Sequence, residues 1–80
     1  MYYTYVLKSK KDNNLYIGWT KDLKSRLNDH NNKKVFATKS RIPLKVVYYE
    51  ACLTEKGAIK REKQLKTGFG RAYLKRRLDV

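Results

Sequence analysis

Residues 14–20, Asn-Leu-Tyr-Ile-Gly-Trp-Thr, run straight into a charged amphipathic segment, with no room for a loop between them. Leu15, Tyr16, Ile17 and Trp19 favour an extended strand, and Thr20 is a good helix N-cap. A strand-to-helix corner therefore falls here, and the rest of the chain has to fit around it. Upstream, residues 2–9, Tyr-Tyr-Thr-Tyr-Val-Leu-Lys-Ser, read as a first strand, rich in aromatic and β-branched side chains. Lys10 to Asn13 form a polar turn in which Asp12 and Asn13 tolerate left-handed or Asx geometry. The two strands make a hairpin.

An even-numbered loop centred between Lys11 and Asp12 pairs residues whose numbers sum to an odd value. Tyr3, Tyr5 and Leu7 then share a face with Tyr16, Gly18 and Thr20, while Thr4, Val6, Leu15, Ile17 and Trp19 take the other. The second face is apolar and calls for a covering helix. The first is a tyrosine face with a gap at Gly18, where no side chain blocks access.

Helix one is expected from Thr20 as cap to about His30, with Leu23 and Leu27 as its apolar stripe. Arg26 and His30, also four apart, flank that stripe on one side. Asn31 to Pro43 is a basic loop carrying Lys33, Lys34, Lys39 and Arg41, interrupted by Val35 and Phe36. Its length points to function or mobility. A third strand follows over Leu44 to Ala51, where Val46, Val47, Tyr48 and Tyr49 predict burial on both faces and hence a central or covered strand. Helix two begins at its cap Thr54, buries Ala58, Ile59 and Leu65, and is stopped by Gly68. A last helix, Phe69 to Leu78, turns Tyr73 and Leu74 inward and Arg71, Lys75, Arg76 and Arg77 outward.

Eighty residues allow one domain, 1–80. Twenty Lys and Arg against seven Asp and Glu leave a net charge of +13, on a chain that is 41% hydrophobic and so built to fold. Self-repulsion of that size is relieved by a polyanion, with nucleic acid ahead of an anionic membrane surface. Cys52 has no partner for an internal disulfide, and no Cys/His cluster has zinc spacing. No apolar run approaches membrane-spanning length and no signal-peptide pattern opens the chain, so a cytoplasmic location without a membrane partner is expected.

Glu62 lies between Ala58, Ile59 and Leu65 on the buried stripe of helix two. A carboxylate taken out of water needs a cation or a set of donors. Two readings stand side by side: a structural ion pair with Arg26 or a lysine of a neighbouring element, and a ligand for Mg²⁺ or Mn²⁺. Arg26 is either a solvated helix residue or a guanidinium fork for a phosphoryl oxygen. His30 by itself reads as a surface or helix-end residue; beside Arg26 it becomes a catalytic candidate. Tyr5 and Tyr16 are packing residues by default, or phenols that position or deprotonate a water.

Taken together these residues resemble the GIY-YIG endonuclease superfamily. Its first motif would be Tyr3-Thr4-Tyr5 and its second Tyr16-Ile17-Gly18. Arg26 and His30 follow at the family's spacing, the Phe36 to Pro43 segment comes next, and Glu62 sits in Arg-Glu-Lys-Gln-Leu-Lys at 61–66. The match covers the whole chain and is nearest to the small stand-alone bacterial branch related to the N-terminal nuclease domain of the UvrC repair protein. Two positions depart from the pattern: Tyr3-Thr4 stand where the name has Gly-Ile, and no asparagine follows Asn32.

The resemblance implies an α+β fold, a three-stranded antiparallel sheet flanked by about three helices, and single-metal hydrolysis of DNA phosphodiesters with low sequence specificity, in repair or recombination. It implies Glu62 as ligand of one Mg²⁺ or Mn²⁺, Tyr5 and Tyr16 at the attacking water with Tyr16 as the preferred base, Arg26 on the developing charge, and His30 assisting. Lys33, Lys34, Lys39, Arg41, Arg71, Lys75 and Arg76 are expected to hold DNA, whether single-stranded, duplex or branched. The alternatives are a non-catalytic nucleic-acid-binding module and an adaptor for a repair-protein partner.

Overall fold

Strand β1 (Tyr2–Ser9) occupies the middle of the sheet, with β2 (Leu15–Thr20) on one side and β3 (Leu44–Cys52) on the other, both antiparallel to it. Helices α1 (Leu23–Asn31), α2 (Glu55–Leu65) and α3 (Gly68–Leu78) complete the α+β fold expected from the sequence. The structure, a computed structural model, describes residues 1–78; the last two residues of the expected 1–80 domain lie outside the described residues.

The hairpin has the anticipated register. Tyr3 pairs with Thr20, Tyr5 with Gly18 and Leu7 with Tyr16. Asn13 adopts φ 61° and Asp12 accepts the Asn14 amide at 2.9 Å, the Asx geometry that lets so short a turn reverse the chain. Side chains alternate along β1, so each face carries its own core. On one face Tyr5, Leu7 and Leu44 pack with Tyr16, Val46 and the α1 stripe Leu23 and Leu27. On the other, Val6 packs with Leu65 of α2 and Leu74 of α3, joined by Ile17 and Tyr73. Thr4 is buried among them, and its hydroxyl donates to the Ala58 carbonyl at 2.9 Å, tying β1 to α2.

Three expectations about element ends and order are corrected. The cap of α1 is Asp22, whose carboxylate accepts the Ser25 amide at 3.1 Å. Thr20 is still paired with Tyr3 in the sheet and instead accepts the Asp22 amide, so the helix starts once the chain is clear of the strand. Strand β3 is an edge and not the centre. Its both-sided burial arises because Val46 meets the α1 face while Val47 and Tyr48 meet the α2–α3 face, helped by a bulge in β3 at Val47, the residue skipped between the Tyr48–Val6 and Val46–Leu7 pairs. Tyr49, at 56% exposure, shows the open side.

Gly68 does not stop α2 but opens α3. The stop comes from Thr67, whose hydroxyl donates to the Gln64 carbonyl at 2.7 Å and accepts the Gly70 amide at 3.2 Å. One side chain thus closes one helix and caps the next. Gly70 is required for closeness: a Cβ there would collide with the Gln64 carbonyl and the Leu65 backbone. Thr54 caps α2 as expected, accepting the Gly57 amide at 3.0 Å.

The long segment between α1 and β3 is pinned rather than loose. Asn31 bonds both the amide and the carbonyl of Leu44, at 2.8 and 2.9 Å. Ser9 donates to the Arg41 carbonyl at 2.6 Å, and Thr38 is fully buried against His30. Among the described residues, no helix is long and apolar enough to cross a membrane.

Candidate active site

His30 lies at the centre of the tyrosine face. The helix-end histidine expected on the surface is fully buried, because the last turn of α1 points into the sheet. Its Nε2 lies 2.9 Å from the Tyr5 hydroxyl and its Nδ1 2.7 Å from Thr38 Oγ1. The Tyr16 ring stands edge-on to the imidazole at a centroid distance of 5.1 Å. Each ring nitrogen therefore has a partner, which a buried imidazole requires.

The electrostatics follow from this burial. Loss of water, and then the positive charge of Arg26, lowers the His30 pKa to about 4, so the ring is neutral at pH 7. A neutral imidazole has one N–H and one lone pair, so exactly one of its two neighbours donates to it and the other accepts. Tyr5, 1% exposed, is pushed above the usual phenol pKa by burial. The Arg26 guanidinium beside it pulls the other way, and the charges of Tyr16 and Glu62 add to the rise. Groups from β2, α1 and α2 thus act on one phenol of β1.

Gly18 is explained differently from the expectation. It is no open gap: a Cβ there would stand 2.6 Å from the Tyr5 hydroxyl and 3.3 Å from the Tyr16 ring. The missing side chain makes room for Tyr5 to reach across its strand partner to His30. Tyr5 is sealed in, whereas Tyr16 is partly exposed and lines a cleft at the β2 edge.

Glu62 reaches the site from α2. Its side chain is 17% exposed, and its partner is Lys66 on its own helix at 3.2 Å, not Arg26 or a lysine of another element. Lys66 is 54% exposed, so this pair forms in a strongly screening environment and holds the carboxylate weakly. Among the described residues no group of three or more His, Cys, Asp or Glu side chains is arranged for a metal ion. A single accessible carboxylate does not suit zinc, but it fits Mg²⁺ or Mn²⁺, which keep several waters and complete their shells with substrate phosphate.

The expected nucleic-acid residues divide. Lys33, Lys34, Lys39, Arg71, Lys75 and Arg76 are exposed, and Arg71 and Lys75 line the β2-edge cleft. Lys39 covers the ring of Phe36, itself exposed, at 4.6 Å. Arg41 is only partly exposed and is engaged in an ion pair with Asp12 at 3.2 Å, bracing the loop against the hairpin turn. Thr38 and Lys66 were not singled out by the sequence. Thr38 could have been found by asking what satisfies both nitrogens of a histidine at a helix end.

The sheet thus holds a buried histidine beside two tyrosines, with Arg26 and Glu62 near enough to act on the Tyr5 phenol. The chain belongs to the GIY-YIG family: the family model described as the GIY-YIG catalytic domain matches residues 1–77. Among curated proteins it is similar to the UPF0213 protein of Syntrophus aciditrophicus, 44% identical over 66 residues that span 80% of this chain and 75% of that relative. It is likewise similar to the UPF0213 protein SSP2268 of Staphylococcus saprophyticus, 42% identical over 82% of this chain and 80% of the relative, and to CPE1444 of Clostridium perfringens, 42% identical over 82% and 71%. These relatives form a small GIY-YIG family. No solved structure matches the chain.

Proposed function

We propose that the protein is a metal-dependent endonuclease that hydrolyses DNA phosphodiester bonds with low sequence specificity. The observation that carries this reading is the division of labour between the two tyrosines. Tyr5 is buried and hydrogen-bonded to His30, while Tyr16 stands against the same imidazole with access to solvent. In this reading Tyr16 orients the attacking water and, as phenolate, takes its proton. Tyr5, His30 and Thr38 hold the base in place. Arg26 stabilises the charge that grows on the phosphoryl oxygens as the water–phosphorus bond forms and the bond to the leaving oxygen breaks. Glu62 would hold one Mg²⁺ or Mn²⁺, which supplies Lewis-acid stabilisation of the scissile phosphate and leaving oxygen.

The net charge of +13 supports a polyanionic substrate, and the exposed cations of the 31–43 loop and α3 are where its phosphates would sit. Roles in repair or recombination, and a repair-protein partner, belong to the same proposal.

The test is incubation of the pure protein with Mg²⁺ or Mn²⁺ and labelled single-stranded, duplex and branched DNA, beside folded Glu62→Ala and Arg26→Ala variants. Metal-dependent cleavage lost in both variants is the expected result. Tight, salt-sensitive binding with no cleavage by any sample would replace the enzyme with a nucleic-acid-binding module.

A further inference from the structure

The cleft at the β2 edge is larger than the tyrosine face requires and has a distinct chemistry. It encloses about 640 Å³, within the size of small-molecule sites. Its floor is apolar, formed by Leu15 and Ile17 over the buried Leu65 and Leu74, and its rim carries Lys66, Arg71 and Lys75 with no carboxylate among the lining residues. Leu15, Tyr16 and Ile17 are consecutive. Successive strand residues point to opposite faces, so the cleft opens on the free edge of β2, where backbone N–H and C=O groups lack a neighbouring strand.

The cleft floor lies on the α2–α3 face, opposite the His30 cluster, and approaches the candidate active site around the β2 edge at two residues. Tyr16 lines both, and Lys66 on the rim is the side chain that donates to Glu62. Arg71 and Lys75 are four apart on α3 and so stand one above the other on the same helix face, a cationic ladder leading away from that end.

We infer that this cleft is a subsite for an unpaired nucleotide flanking the scissile phosphate. The assignment rests on the nuclease reading above and extends it to substrate structure. Lys66 is already paired with Glu62, but two rim cations, Arg71 and Lys75, with no acid among the lining residues, select an anion, and an apolar floor beside them selects an anion with an apolar face. A duplex presents phosphates on its outside but keeps its base faces stacked, so it satisfies the rim and leaves the floor wet. An unpaired base covers the floor while its phosphates reach Arg71 and Lys75, and its polar edge meets the free backbone groups of β2. An acidic peptide would satisfy the rim alone.

The experiment is fluorescence anisotropy in EDTA with a labelled oligo-dT strand, a strand of abasic residues with the same number of phosphates, and an acidic peptide of equal charge. The expected order places oligo-dT tightest. Arg71→Ala/Lys75→Ala lowers affinity for both strands and flattens the log–log salt slope by about 1.4, two single-strand phosphate contacts. Leu15→Ser, at an exposed edge position, lowers affinity for oligo-dT about fivefold and leaves the abasic strand unchanged. Leu15→Met keeps both. Equal binding of oligo-dT and the abasic strand, indifference to the Arg71/Lys75 change, or an acidic peptide that binds as tightly as oligo-dT would each overturn the subsite. Because no metal is present, the outcome is independent of cleavage. Binding as expected with no cleavage retains the subsite and removes the nuclease, and cleavage with cleft-independent binding does the reverse.

Discussion

The Tyr5 hydroxyl and His30 Nε2 meet at 2.9 Å inside the sheet–helix interface, with Gly18 vacating the space through which the phenol passes. A side chain from the central strand is thereby joined to the end of α1, and α1 in turn carries Arg26. The position of the arginine relative to the two tyrosines depends on this one buried contact and on the Thr38 bond behind it.

Thr38→Val removes the partner of His30 Nδ1 and leaves a buried nitrogen without a bond. A loss of about 1–3 kcal/mol in urea denaturation is expected, where Thr38→Ser costs less. If DNA cleavage is present, Thr38→Val lowers kcat more than KM, since the change disturbs the alignment of the tyrosines and not the exposed cations.

Acid sensitivity has a defined window. His30 has an unfolded pKa near 6.5 and a folded one of about 4. Below pH 6.5 the unfolded chain therefore takes up a proton that the folded chain refuses, and stability falls as pH drops toward 4. The sign is that of a depressed base: the contribution is complete above 6.5 and lost below, by up to about 3 kcal/mol in all. The carboxyls of Asp12 and Glu50 are also held low, Glu50 by Arg61 against the effect of burial. Their contributions are present above their ordinary values of 3.8 for Asp12 and 4.5 for Glu50 and are lost as pH falls below these, so thermal melts between pH 5 and 6.5 isolate the histidine. A His30→Gln variant that melts with the same pH slope as wild type in that interval would contradict this.

Gly18→Ala forces a methyl group against the Tyr5 phenol. Overpacking of this kind costs about 1–3 kcal/mol. A double-mutant cycle with Tyr5→Phe checks the cause: removing the hydroxyl relieves part of the clash, so the combined loss is smaller than the sum of the two.

The tyrosines separate in a pH–rate profile. If DNA cleavage is present and Tyr16 is the base, Tyr16→Phe is expected to abolish the limb that rises with pH and most of kcat. Tyr5→Phe retains the limb and loses rate through misplacement of His30. The opposite assignment of the limb would make Tyr5 the base.

Two ion pairs differ in geometry and in worth. Arg61 makes two bonds to Glu50, at 2.9 and 3.0 Å, and its guanidinium stacks over Tyr73 at 4.9 Å, joining β3 to both C-terminal helices. Arg61→Met is expected to cost about 1–2 kcal/mol. Lys66→Met breaks a screened pair within one helix and changes the urea midpoint by less than about 0.5 kcal/mol equivalent.

Much of this architecture is legible in the residues, for reasons that can be named. The period of two in Tyr3, Tyr5, Leu7 against Tyr16, Gly18, Thr20 dictates register, because a slip of one would turn the apolar face to water. The placement of β3 was not legible. Helices on both faces half-bury an edge strand as well, so the apolar pattern Val46 to Tyr49 is silent about neighbours. The cap of α1 was misplaced because Thr20 and Asp22 are both good caps, and only the sheet pairing of Thr20 decides between them. Thr38 and the β2-edge cleft escaped because each depends on segments distant in the chain coming together: a loop with a helix end, and α3 with the free side of β2.

The pinned segment between α1 and β3 has a consequence for how the molecule opens. Exposed Lys33, Lys34 and Lys39 advertise it to trypsin, yet the Asn31 side chain clamps the chain beyond it at Leu44, the Thr38 side chain is bonded to His30, and the Arg41 carbonyl accepts from Ser9. A protease needs several residues extended and free, and freeing them here means letting go of His30 and of the hairpin turn at once. Nicking of this loop therefore reports on the integrity of the tyrosine–histidine cluster: the more readily the chain is cut, the more of the time the site stands open.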